Sequence, residues 1–216
     1  MAERPVFIPS LTGSCLVHEK PVRFTWHSGM AATQKRKSVR ELHAAARAEG
    51  LHPLLEISTK SEDPIGIELS AFNLMTSIDG RLTTVECAYQ GSKVFEGGGP
   101  FNDLYFVDSR AAKTDERLRN SGRIMGFELE ETIYPLSPPT AFYDWIYINA
   151  LHRNPGWQRM LGRYAGFTDI EFNPERSLNC QARSCATYVS LVQRALIDDA
   201  LESFAFFAEM TYEAVI

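Results

Sequence analysis

The sequence predicts an α+β fold, a helix-rich single domain with a small β-sheet, and three observations carry that expectation. Apolar residues recur at helical spacing in several long stretches, most clearly at 33–49, 141–153 and 179–196. Strand-like runs are few and short: LLEIS at 54–58, IELSAFNL at 67–74 and FTDIEF at 167–172. Hydrophobic residues make up 44% of the 216 positions, enough for one core, and no repeat, low-complexity block or linker interrupts residues 1–216.

An N-terminal stretch rich in Val, Phe and Pro leads to the first helix, about Thr33–Glu49, in which Val39, Leu42 and Ala46 share a face and Gly50 marks the end. Lys35, Arg36, Lys37 and Arg40 crowd its first half against the helix dipole, so they read as a solvated basic face or as a contact for phosphate. The runs at 54–58 and 67–74 follow as strands, and Asp79-Gly80 between apolar segments signals a hairpin. A helix then spans about Thr84–Phe95; Thr83 with Glu86 matches a capping box, and Gly97, Gly98, Gly99 and Pro100 stop it. Ser109 caps a short charged helix at 109–119. After the rigid YPLSPPT connector, a helix from Thr140 stops before Pro155 and carries Phe142, Trp145, Ile146 and Asn149 at helical spacing, which makes Trp145 either core or a stacking platform for a base. Alternation in FTDIEF puts Asp169 and Glu171 on one face, as a functional carboxylate pair or as solubilising edge charges. Asn179 or Ser177 caps the helix at about 179–196, so Gln181 and Arg183 fall in its first turn, where Arg183 suits a phosphate or pairs with Glu171. The tail at 198–216 reads as a further amphipathic helix with Leu201, Phe204 and Ala208 on one stripe.

Within TTVECAYQGSK at 83–93, Glu86, Gln90 and Lys93 are the strongly polar long side chains, and a helix at about 100° per residue holds them within about 60° of one another. Val85, Ala88, Tyr89 and Phe95 gather on an adjoining face. So thin a polar stripe on an apolar helix suits a pocket better than bulk water, with this helix as the floor of a cleft. The capping box offers the alternative, in which Glu86 merely folds back onto a backbone amide. A carboxylate near ribose C1 stabilises the oxocarbenium-like state of N-glycosidic cleavage or activates water, and Glu86 is placed for either. Lys93, roughly 10.5 Å further along the helix axis, can bind phosphate or ribose hydroxyls, or attack an opened sugar as an amine.

A formal charge of −5 argues against a protein that coats nucleic acid, leaving brief contact with a nucleotide or docking to a basic partner. Cys15, Cys87, Cys180 and Cys185 show neither CxxC pairing nor the density of a secreted scaffold and read as reduced thiols. No apolar run nears the roughly 20 residues of a membrane span and the N-terminus lacks signal-peptide character, so a cytoplasmic protein with no membrane partner is expected. His18, His27, His43, His52 and His152 have no ligand spacing, so neither a metal nor a cofactor is expected.

Taken in order, LSAFNL, IDGRLTTVECAYQGSKVF, SRAAKTDERL, FYDWIYINAL and NCQARSCATYVSLVQRAL resemble the NADAR (YbiA-like) domain over roughly residues 69–196, which leaves the basic helix at 33–49 as an N-terminal extension and 198–216 as a C-terminal tail. Val85-Glu86 with Gln90 and Lys93 is the most specific part, supported by Ala112-Lys113 and Asn179. Over nearly the whole chain, RPVFIP, LEISTKS, VECAYQGSKVFEGGGPF, TAFYDWIYINAL and FTDIEFNPERSLNCQARS look like the NADAR antitoxins associated with DarT toxins. Cys87 stands where many NADAR proteins carry histidine, and IEFNPERSLNCQAR replaces their acidic-xxx-Trp-Gly segment. The resemblance implies a NADAR-like fold and an N-glycosidase that removes ADP-ribose from guanine bases of DNA, reversing a DarT-type DNA ADP-ribosyltransferase. ADP-ribosylated DNA is then a transient partner, ADP-ribose the product and a DarT-type toxin a candidate partner. It matches Glu86 and Lys93 to catalytic positions, and Asp169 is the candidate second acid. Phe72, Asn73, Gln90, Trp145, Glu171, Asn179, Arg183 and Lys35 are the candidate substrate-binding residues. The competing expectations are an N-glycosidase of a free phosphorylated nucleotide, such as an aminopyrimidine of riboflavin synthesis, and a non-catalytic antitoxin that holds the toxin or ADP-ribose.

Overall fold

Short strands and helices alternate along the chain of the computed structural model, which describes residues 1–29, 31–175 and 177–212. The elements run β1 (Ala2–Pro9), β2 (Val17–Phe24), α1 (Ala32–Ala48), β3 (Leu54–Glu56), α2 (Pro64–Glu68), β4 (Met75–Ile78), β5 (Arg81–Thr84), α3 (Val85–Gly91) and β6 (Lys93–Phe95). A 3₁₀ turn at Asn102–Phe106 leads into α4 (Ser109–Thr114), α5 (Arg117–Asn120), β7 (Ile124–Leu129), β8 (Thr132–Tyr134) and α6 (Ala141–His152). Then follow α7 (Pro155–Leu161), β9 (Gly166–Thr168), α8 (Gln181–Gln193), α9 (Ile197–Ala200) and α10 (Phe204–Tyr212). The mixed α and β content agrees with the expected class. By Cα packing the chain forms two compact units, Met1–Ser70 with His152–Ile216, and Ala71–Leu151.

In the first unit, β1 and β2 pair antiparallel from Ala2↔Phe24 to Pro9↔Val17, and β9 joins β1 to a parallel β3, giving the order β2-β1-β9-β3. α1 lays Val39, Leu42 and Ala46 on Val6, Val22, Phe24 and Ile170 of this sheet and its exit, as its apolar spacing requires. Each such buried Leu, Val or Phe side chain contributes about 1.5–3 kcal/mol. The expected strand at 67–74 is absent. Pro64 opens α2 and the Asp63 carboxylate accepts from Ile65 N at 2.9 Å, so local capping overrides the β-character of IELSAFNL and leaves Ala71–Asn73 in a turn. The expected strand at 167–172 stops at Thr168, because the Asp169 carboxylate accepts from Glu171 N (2.9 Å) and Phe172 N (3.2 Å) and turns the chain. Asp169 and Glu171 therefore do not share one face of a strand. Cys180, and not Asn179 or Ser177, stands at the N-cap position of α8 and makes no side-chain cap there, and of the expected tail helix only Phe204–Tyr212 and the short α9 form, residues 213–216 lying outside the described ones.

In the second unit, β4 and β5 form a hairpin closed by Asp79 (φ 49°) and Gly80 (φ 74°), the doubly positive pair that a tight two-residue turn demands. α3 follows β5 without a loop. It ends at Gly91, four residues short of the expected Phe95, and Lys93–Phe95 instead starts the sheet β6-β7-β8. Gly91 is what lets α3 sit here: a Cβ on it would stand 2.5 Å from the Tyr105 ring, and its carbonyl accepts from Phe101 N at 2.7 Å. We expect Gly91→Ala to lower stability by about 1–3 kcal/mol through overpacking, read as a drop in melting temperature. The helix expected at 109–119 breaks into α4 and α5, since Asp115 turns its carboxylate onto Arg117 N at 2.9 Å, and the α4 cap is Asp108 in place of Ser109. α6 forms where expected. Its Phe142 stacks on Phe127 at 4.4 Å between centroids, and Tyr89 of α3 packs against both and against Tyr143.

Candidate functional site

Thr84 ends β5 in an extended conformation and turns its hydroxyl to Cys87 N at 3.2 Å, capping α3. The cap is thus one residue later than the capping-box pattern placed it; Thr83 donates its hydroxyl to the Tyr105 carbonyl instead. Glu86 is released from any capping duty. Its amide donates to the Ala71 carbonyl at 2.9 Å, while its carboxylate, in a residue only 5% exposed, points sideways from the helix.

One turn on, Gln90 Nε2 donates to Glu86 Oε1 at 2.9 Å, and Lys93 Nζ donates to Gln90 Oε1 at 2.6 Å. The amide thereby links carboxylate and ammonium without a direct ion pair. Lys113 of α4 approaches the same Glu86 Oε1 at 3.6 Å, and its Nζ lies 4.8 Å from the Phe72 ring centroid. Lys93 Nζ lies 4.6 Å from the Tyr89 ring centroid. Burial lowers the Lys93 pKa to about 8, with Glu86 pulling it up and Lys113 pushing it further down. At pH 7 an amine with that pKa is neutral about a tenth of the time.

Lys113 is not among the expected site residues, although Ala112-Lys113 carries part of the family resemblance; Ala112 beside it is fully buried, which fixes α4 against its neighbours. Phe72 lies in the turn before β4, where its carbonyl accepts from Ser109 Oγ at 3.0 Å, and Asn73 beside it is exposed. Trp145 is half-buried on α6, its carbonyl accepting from Asn149 Nδ2 at 2.8 Å and its indole bonded to the Tyr134 hydroxyl.

The remaining expected residues lie in the other unit. Asp169 is buried and receives, besides the two backbone amides, a hydrogen bond from the Gln181 side chain; burial and then the neighbouring Glu56 charge push its pKa up to about 8. Glu56, 2% exposed, accepts from Ser58 Oγ (2.7 Å), Thr168 Oγ1 (2.7 Å) and Ile170 N (2.8 Å), and burial raises its pKa as well. The sequence reading missed Glu56, although a single glutamate inside LLEIS is a recognisable sign of a buried carboxyl. Folding holds a proton here that the unfolded chain releases near pH 4, so the stabilisation is complete below that pH and is lost as pH rises toward 8. We expect Asp169→Asn, which keeps an acceptor oxygen for the turn, to raise the melting temperature more at pH 8 than at pH 5.

Glu171 does not pair with Arg183. It bonds Lys35 at 3.3 Å, whose Nζ also lies 4.8 Å from the Trp26 ring centroid, so the basic end of α1 is partly neutralised by a protein carboxylate. Arg183 pairs with Glu19 at 3.5 Å. Asn179 is half-buried ahead of Cys180, its carbonyl accepting from Ser177 Oγ at 3.3 Å. Among the described residues, no group of three His, Cys, Asp or Glu is arranged to hold a metal ion, and no helix is long and apolar enough to cross a membrane.

No curated protein matches the sequence. A profile of the DarT1-associated NADAR antitoxins does, over residues 2–216, and so includes the Glu86, Gln90 and Lys93 chain as well as the buried carboxyls of the other unit. The protein belongs to the DarT1-associated NADAR antitoxin family.

Proposed function

We propose that this antitoxin is an N-glycosidase that removes ADP-ribose from guanine bases of DNA, erasing the modification made by its DarT toxin. The observation that carries the reading is the buried Glu86 carboxylate, held by Gln90 and by Lys113 instead of by its own backbone. In the reaction the bond from ribose C1 to the base nitrogen breaks, its electron pair leaves with guanine, and a water oxygen bonds to C1, releasing ADP-ribose. Glu86 stabilises the positive charge that develops on C1 and the ring oxygen, and accepts the proton from the incoming water. Gln90 and the two lysines fix the carboxylate in place before substrate arrives. The ammonium forms of Lys93 and Lys113 suit the diphosphate and ribose hydroxyls of ADP-ribose.

The lowered pKa of Lys93 favours a second reading of that one residue, in which its neutral amine attacks C1 of the ring-opened sugar. The bond from C1 to the guanine nitrogen then breaks with a proton passing to guanine, leaving an imine on Lys93, and water hydrolyses the imine to free ADP-ribose and the amine. On either reading the substrate test is the same. DNA carrying ADP-ribosyl guanine and a free phosphorylated aminopyrimidine nucleotide are each incubated with the protein, and products are resolved by chromatography. We expect ADP-ribose from the first and no cleavage of the second; cleavage of the free nucleotide alone overturns the proposal. Protection of toxin-expressing cells by Glu86→Gln would instead make this a non-catalytic antitoxin.

A further inference from the structure

We propose that the unit formed by Met1–Ser70 and His152–Ile216 carries a second binding site, a cavity of about 440 Å³ among α1, β3 and the loop at 61–63, which takes a nucleoside phosphate. That volume lies within the range of about 300–1,000 Å³ usual for small-molecule sites. Its chemistry is divided. Val39, Ala44, Leu54 and Leu55 supply an apolar wall, and apart from Ser61 the rest of the lining is charged or imidazole.

Two arginines line the cavity, and they differ. Arg40 is tied to Glu62, with its Nε 2.8 Å from Oε2. Arg47 has no carboxylate partner among the described residues; its Nη2 lies 3.2 Å from His52 Nδ1. An exposed guanidinium backed by an imidazole suits a phosphate, which it can bind with two parallel N–H groups.

His43 shows that the inner end is built and not left over. Its Nε2 lies 2.9 Å from Thr168 Oγ1, and that hydroxyl donates to Glu56 Oε2 at 2.7 Å, so a fully buried threonine and a buried carboxyl fix the ring. With Thr168 donating to Glu56, Nε2 carries the hydrogen and Nδ1 keeps a lone pair without a protein donor among the described residues. Burial holds the ring neutral at physiological pH, its pKa lowered to about 4. Phosphate donor, apolar wall and ring acceptor match the phosphate, base face and base N–H of a nucleotide. Glu62 and Asp63 also line the cavity, their carboxylates held by Arg40 and by Ile65 N with the Tyr164 hydroxyl.

The nucleotide can be free or one unit of a DNA strand, and calorimetric titration distinguishes them. Guanosine 5′-monophosphate and a short unmodified single strand are titrated into the wild type, Arg47→Ala, His43→Asn, Glu86→Gln and, as a surface control, Arg23→Ala. We expect saturable binding of the mononucleotide, weakened at least tenfold in Arg47→Ala and His43→Asn and unchanged in Glu86→Gln and Arg23→Ala. Competition by the strand identifies a strand subsite, and its absence a site for the free nucleotide. No saturable binding of either probe, or affinity unchanged in Arg47→Ala, overturns the inference. Binding lost in Glu86→Gln but kept in Arg47→Ala also overturns it, by moving the nucleotide to the Glu86 site. Because Glu86→Gln tests the glycosidase and Arg47→Ala the cavity, either proposal can fail alone.

Discussion

Glu86→Gln is expected to slow release of ADP-ribose from modified DNA by about a thousandfold while leaving the fold intact. Positioned carboxylates that move protons or balance transition-state charge are worth about 10²–10⁴ in rate, and Glu86 is asked to do both. The substitution is close to isosteric. Gln90 Nε2, which donates to Glu86 Oε1 at 2.9 Å, keeps an acceptor in the new amide oxygen, so the loss falls on charge and not on packing. The ion pair with Lys113 at 3.6 Å disappears, but with its side chain 54% exposed that lysine is rehydrated at little cost. Single-turnover kinetics on ADP-ribosylated oligonucleotides, with circular dichroism as the check on folding, measure this directly. A rate within tenfold of wild type would remove Glu86 from the chemistry.

Lys93→Met is expected to separate activity from stability. The pKa of the folded protein lies near 8, below the roughly 10.4 of a free lysine, so the fold disfavours the charged side chain. The unfolded chain therefore binds more protons between those two values. The penalty is full below about pH 8 and fades as pH rises toward 10.4. Replacing Lys93 by an isosteric apolar side chain removes it, a gain of about 1–3 kcal/mol at pH 7 after allowance for partial exposure. Melting temperature should rise at neutral pH and return to the wild-type value near pH 10. Activity should fall by about a hundredfold, the trade expected where a strained site residue is there for function. If Lys93 works as an ammonium, wild-type kcat/KM declines as pH rises through about 8 and Lys93→Arg retains part of it. A rate that climbs through pH 8, with borohydride trapping of a sugar on the protein, assigns the amine role.

Much of this was legible in the sequence where a local signal and a long-range pattern agreed. α1, α6 and α8 have apolar residues at helical spacing, and the Asp79-Gly80 turn has the two residues that adopt positive φ most easily. The missing parts were those whose local signal is misleading. β1 and β2 contain Pro5, Pro9 and Pro21, yet they pair over eight residues because Pro5 and Pro21 face each other across the ladder. The turn between β7 and β8 is made by Glu130 (φ 48°) and Glu131 (φ 62°), residues that do not ordinarily announce a tight turn.

The candidate site divides in the same way. Glu86, Gln90 and Lys93 were recognisable as a polar set, and they are linked, although the helix carrying them ends early and Lys93 reaches back from a strand. Spacing could not reveal Lys113, because its approach to Glu86 depends on how α4 packs. Nor could it reveal that Asp169 has Glu56 as its neighbour, since these residues are far apart in sequence and meet only through the pairing of β3 with β9.

Because β5 passes into α3 with no intervening residue, the ladder between β4 and β5 acts as a vernier for the carboxylate. Each residue inserted before Val85 would swing the helix by about 100°, so a slip of one rung carries Glu86 away from Lys113 and Gln90 away from its bridging position. Changes at the remote Asp79-Gly80 bend should therefore register as losses of turnover, with the rest of the molecule undisturbed.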